Sequence, residues 1–209
     1  MLGFQFVNQR ASWYVFALAS VVILVLTLQS NPAWHPWFEF NAALVWQQPW
    51  RLLSAHFVHL DYLHAALNLV AWLFITLIFG THFNARSLFN AVLVIAVICA
   101  IGVVILGAPA RFVGLSGVVH GLFLTSLLLE RRQQQGHPDW LIYAAIAVLC
   151  LKILAESFGW QFSGGMIDVG AEVWRIHLAG LIGGVVAFIL HRRAILPKST
   201  KQDPNPPTA

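Results

Sequence analysis

Charge is what this chain has least of. Asp, Glu, Lys and Arg together make up 10% of its 209 residues, against about a quarter in soluble domains. That scarcity excludes a soluble globular protein. The net charge of +4 is not evidence for nucleic-acid binding either, because the basic residues sit mainly at the ends of apolar runs. Cysteine is scarcer still. Cys99 and Cys150 both fall inside apolar stretches, so they are expected to act as small buried hydrophobes, and neither a disulfide framework nor a cysteine metal pair is supported. No internal repeat is apparent. No His-Glu-x-x-His pattern is present to mark a zinc site. The apolar run that ends near Leu28 lacks an evident small-residue cleavage site, so it is expected to be a retained first helix and not a removable signal.

What the chain does have is apolar surface. It is 59% hydrophobic with a mean hydropathy of +0.75, which predicts an all-α integral membrane protein. Six stretches, 12–29, 61–80, 87–107, 116–130, 140–156 and 173–191, are predicted membrane helices, most of them near the ~20 residues that cross the hydrocarbon core. One domain over 1–191 is expected, followed by a polar, Pro-rich tail over 192–209 that reads as disordered. With the amino terminus inside, eight of the twelve Lys and Arg residues fall on the inner side (Arg10, Arg86, Arg131, Arg132, Arg192, Arg193, Lys198 and Lys201). Arg51, Arg111, Lys152 and Arg175 fall outside. Both termini are therefore expected to be cytoplasmic. The long first outer connection, about 30–60, carries Trp34, Trp37, Phe38, Phe40, Trp46 and Trp50, rings suited to the headgroup level. Asp61 is the expected N-cap of the second helix.

The fourth stretch is short. Ser116 to Leu129 is 14 residues, roughly 21 Å of helix against a core of ~30 Å. Glu130-Arg131-Arg132 pins its inner end, so its outer end is expected to be submerged, with the 107–115 loop dipping in to meet it. Irregular backbone at that depth survives only inside protein or beside a wet cavity, which predicts an aqueous pocket with Ser116 at its floor.

Hydroxyl and imidazole groups inside membrane segments are costly unless used. Ser116, in Gly114-Leu115-Ser116-Gly117, has the position of a nucleophile at a helix start, where its own amide lacks a helical partner and faces an oxyanion. Gly114 and Gly117 permit the tight turn. Taken alone, the motif is equally that of a serine capping a helix. His177 stands with Gly180 and Gly184 on one face, and Gly117 and Gly121 offer a matching face for close helix approach. The competing reading is a histidine that bonds across helices. His64 and Asn68, four residues apart, share a face and can donate to an oxyanion, although interhelical polar contact is the plainer explanation. His120, four residues after Ser116, is placed to pack on His177 or tune it. His59 and Arg51 read as structural, Arg51 tying the interfacial loop to backbone carbonyls. Zinc held by His64, His120 and His177 is the minor alternative. Lys152 as the base is another, set aside because Glu156, four residues on, suits it as an ion-pair partner.

His59-x4-His64-x3-Asn68, Gly114-Leu115-Ser116-Gly117, His177-Leu-Ala-Gly180 and Trp50-Arg51 together resemble the rhomboid family of intramembrane serine proteases over about 12–191. The resemblance implies a six-helix rhomboid-like bundle, Ser116 as nucleophile and His177 as general base. It also implies an oxyanion hole from His64, Asn68 and the Ser116 and Leu115 amides, no cofactor or metal, and no third acidic member. Where many rhomboids carry Tyr, this chain has His120. The run Gly-Leu-Ser-Gly-Val-Val-His-Gly, with the bare six-helix size, resembles the rhombosortase subgroup. That subgroup implies substrates with carboxy-terminal Gly-Gly sorting helices on exported proteins, and a bacterial inner-membrane location. Hydrolysis of the acyl-enzyme and its transfer to a lipid-like amine both stay open, as does a non-proteolytic protein that binds membrane helices.

Overall fold

A computed structural model describes residues 19–107, 110–134, 139–160 and 172–195. Residues 12–18 of the first predicted helix and the tail from 196 onward lie outside the described residues, as does much of the connection after the fifth helix. Six longer helices are described: α1 from Ala19 to Gln29, α2 Tyr62–Phe79, α3 Ala85–Ile105, α4 Ser116–Gln133, α5 Trp140–Ser157 and α6 Val173–Ile195. Four stretches among the described residues are long and apolar enough to cross a membrane: Tyr62–His82, Ala85–Ile105, Trp140–Ser157 and Val173–His191. Less than half of each is buried against protein. The rest of their apolar surface, such as Val70, Phe74 and Leu77 of α2, is exposed and suited to lipid.

Local chemistry sets the helix starts. The Asp61 side chain accepts from the His64 amide at 2.7 Å, capping α2 as predicted. Asn84 and Ser87 form a reciprocal capping box, so α3 begins two residues earlier than predicted. It also ends earlier, at Ile105, because Gly107 takes a left-handed φ of +63° and turns the chain away. The fourth helix starts at Ser116 as predicted but runs on to Gln133, because the polar Glu130-Arg131-Arg132 segment continues the helix. Its apolar part still ends at Leu129. The last helix passes the predicted end at 191 and reaches Ile195.

The core is arranged around α4, which buries Leu122, Thr125 and Ser126 among others. Its most extensive partner is α6, which also packs along α3. Backbone crowding explains the fit. A Cβ on Gly180 would strike the Gly117 carbonyl, and one on Gly184 would strike the Gly121 carbonyl. Thr125 Oγ donates to both Gly121 O and Gly184 O at 2.9 Å, joining the two helices. Cys99 is fully buried on α3, whereas Cys150 is exposed on α5, beside the outward-facing Leu151. The expectation that both are buried is corrected for Cys150, because an apolar helix in lipid turns apolar residues outward as readily as inward.

The first connection folds over the starts of α4 and α6. Phe40–Asn41 (β1) pairs antiparallel with Arg111–Phe112 (β2). Phe40 and Phe112 are buried with centroids 4.9 Å apart, while Trp37, Trp46 and Trp50 stay exposed. Arg51 is 2% exposed. It donates to Glu39 O at 2.8 Å and Gln48 Oε1 at 2.7 Å, the tie to backbone expected from sequence.

Candidate active site

Three helix ends converge below that connection. Ser116 opens α4, His177 lies in the second turn of α6, and Glu156 lies in the last turn of α5. His177 Nε2 is 3.0 Å from Ser116 Oγ, and Nδ1 is 2.7 Å from Glu156 Oε2. A carboxylate only accepts hydrogen bonds, so Nδ1–H is the donor and Nε2 carries the lone pair that faces the serine hydroxyl. The other carboxylate oxygen, Oε1, is ion-paired with the Lys152 ammonium. His177 is 5% exposed and Glu156 7%.

Glu156 is the residue that sequence reasoning missed. The resemblance implied no acidic third member, yet a carboxylate sits on the imidazole. Pairing it with Lys152, as the i,i+4 spacing suggested, is correct but accounts for only one oxygen. The signal was an acidic residue in an apolar helix whose second oxygen had no stated use. Its partner lies 21 residues away on another helix, beyond the reach of spacing rules.

His120 packs flat on His177, with centroids 4.0 Å apart and planes within 16°. Its Nδ1–H donates to Ser116 O at 2.7 Å. One ring thus backs the imidazole and holds the first turn of α4.

The expected oxyanion residues come near one another, but not all present a free donor. Leu115, at the N-cap of α4, makes no side-chain capping bond, so it satisfies none of the first amides of that helix. The Leu115 amide is a correction: it faces His59 Nε2 at 3.4 Å. His59 is fully buried. Burial, reinforced by neighbouring His64, pushes its pKa down to about 3, so the ring stays neutral and able to accept. Asn68 donates to His64 O at 3.0 Å within its own helix. His64 meets His59 edge-on at 5.0 Å, and its Nδ1 is buried without a hydrogen-bond partner among the described residues. Gly114 makes this crowding possible. Its φ is +121°, and a Cβ there would lie 2.7 Å from the His64 ring. Its amide donates to Ala55 O at 2.9 Å, anchoring the turn to the first connection.

His64, His120 and His177 do not converge as a metal site. The first leans on His59, while the other two stack face to face. Among the described residues no group of three His, Cys, Asp or Glu side chains is arranged to hold a metal.

A rhomboid-domain family profile matches residues 46–194, a span that holds every one of these side chains. The chain belongs to the rhomboid family. No curated protein matches it. Rhomboid membership, with the four apolar helices, makes it an integral membrane protein and points to intramembrane proteolysis by a serine hydrolase. The arrangement in this rhomboid has what acyl transfer needs: a hydroxyl beside an imidazole lone pair, and uncapped amides at the same helix end.

Proposed function

We propose that this rhomboid is a serine endopeptidase in which Ser116 attacks the scissile carbonyl and His177 is the general base. The observation that carries this reading is the 3.0 Å approach of Ser116 Oγ to His177 Nε2, made by residues 61 apart in the chain. As the Oγ–C bond forms, the hydroxyl proton passes to Nε2. The tetrahedral oxyanion is held by the Ser116 amide with help from His64 and Asn68. Nε2 then delivers its proton to the leaving amine as the C–N bond breaks, and water releases the acyl group.

The substrate in this reading is a transmembrane segment that unwinds near its outer end. Glycine favours such unwinding, since it costs about 1 kcal/mol relative to alanine in a helix. A groove of about 700 Å³ along the second half of α5 and the residues just after it, lined by Val148, Leu151, Leu154, Phe158 and Trp160, offers apolar contact and has Lys152 in its wall. The Gly114–Gly121 run with His120 favours the rhombosortase subgroup, which processes carboxy-terminal Gly-Gly sorting helices of exported proteins. The full proposal has six crossings, a submerged start to α4, both termini cytoplasmic, and a bacterial inner-membrane location.

The test compares carboxy termini of secreted proteins, by mass spectrometry, in cells with wild-type protein and with Ser116→Ala. New termini at Gly-rich sites before an apolar tail should appear only with wild type. Identical termini in both strains would leave a binding protein without protease activity.

A further inference from the structure

Glu156 has more contacts than an ion pair needs. A clamp between Lys152 and Glu156, both on α5, requires nothing from α6. Yet the second carboxylate oxygen is 2.7 Å from His177 Nδ1, and the opposite ring nitrogen is 3.0 Å from Ser116 Oγ. Serine, imidazole and carboxylate are thus joined in series, with the ammonium of Lys152 at the far end. The ring is fixed on its face as well, by His120 at 4.0 Å. A neutral imidazole without a partner on Nδ1 is free to carry its proton on either nitrogen, and only one tautomer leaves Nε2 able to accept from the hydroxyl.

We infer that Glu156 is a positioning residue completing a Ser116–His177–Glu156 triad, with Lys152 as the counter-charge that keeps the carboxylate ionised. This deepens the protease reading and rests on it. Glu156 holds the Nδ1–H tautomer before attack. When the Ser116 proton moves to Nε2, the carboxylate stabilises the imidazolium so formed. It takes no proton itself: the Nδ1 proton stays on the ring, and the Nε2 proton leaves with the amine. Lys152 contributes in the ground state. A carboxylate this buried is costly to ionise alone, and the ammonium on Oε1 offsets that cost without occupying Oε2.

Among the described residues, the other titratable groups around His177 are His120 from α4, His64 from α2, Lys152 from α5 and Cys99 from α3, whose Sγ is 3.9 Å from the Ile176 carbonyl. Replacing Glu156 leaves all four in the chain but removes the Lys152 ion pair as well, so a change in pH behaviour reports the carboxylate together with that pair.

The experiment measures labelling of Ser116 by a fluorophosphonate, a probe that phosphonylates an activated serine hydroxyl, in full-chain protein reconstituted in phosphatidylethanolamine–phosphatidylglycerol vesicles. Rates are taken against pH for wild type, Ser116→Ala, Glu156→Gln and Glu156→Asp, with thermal unfolding of each. Wild type should label and Ser116→Ala should not. Absence of wild-type labelling would remove the protease reading, and the triad with it. Glu156→Gln keeps the shape but loses the charge. It should label roughly 10²–10⁴-fold more slowly, as when an orienting carboxylate is made an amide. Its acid limb should also move to lower pH, because the imidazolium has lost its partner. Glu156→Asp retains the charge and should recover at least about tenfold of that rate. A Gln variant that labels at the wild-type rate with an unmoved acid limb overturns the triad while leaving the protease reading standing. Equal rates for Asp and Gln overturn it too.

Discussion

A neutral imidazole has one donor and one acceptor, and at His177 the carboxylate on Nδ1 decides which nitrogen is which. Its neighbours are similarly committed. His120 Nδ1–H is bonded to Ser116 O, and His59 Nε2 accepts from the Leu115 amide. The stacked ring of His120 suggests a simple test. Contacts between flat rings contribute about 0.5–1.5 kcal/mol beyond their buried area. His120→Ala should therefore slow labelling of Ser116 about tenfold, whereas His120→Tyr should stay closer to wild type because it keeps a flat ring under His177. Alanine and tyrosine variants labelling at the same rate would show that the stack plays no part in the reaction.

Among the elements, the decisive contact is between α4 and α6, where Gly117 and Gly121 meet Gly180 and Gly184 with no room for side chains. The glycine spacing was legible in the sequence because every third or fourth residue returns to one helix face. That the two glycine faces meet was expected from their spacing, and the backbone shows how tightly they do. Gly180→Val drives a branched side chain into the Gly117 carbonyl. It should destabilise the protein by about 1–3 kcal/mol and separate Ser116 from His177, so labelling should fall with the melting temperature. Unchanged melting would contradict the tight crossing. Boundaries were read less well than contacts. Helix α4 outran its predicted end by three residues because apolar patterning sees where lipid-facing character stops, not where hydrogen bonding stops.

For the whole molecule, burial of histidine beneath the first connection links stability to pH. His56 and His59 lie outside the spanning helices and are fully buried. Burial pushes their pKa values from 6.5 to about 4 and about 3. Above the unfolded value both states are neutral and the pair contributes no pH dependence. As pH falls below about 6.5 the unfolded chain binds protons that the folded chain refuses, so stability declines until the folded values near 4 and 3 are passed. Thermal unfolding in vesicles should show a constant midpoint from pH 8 to about 7 and a falling one from about 6 to 4. A midpoint that rises on acidification would oppose this account.

The sequence by itself determined the membrane character, the helix starts at Ser116 and Val173, the Asp61 cap of α2, and the candidacy of Ser116 and His177. These follow from transfer cost, capping and helical period, all local properties that a linear chain states openly. Tertiary structure alone decided that Glu156 divides its two oxygens between Lys152 and His177, and that His59 takes the Leu115 amide. It also decided that Cys150 faces outward. A hydrogen bond between distant residues depends on where two helix ends stop in space to within a fraction of an ångström, and no spacing along the chain encodes that distance.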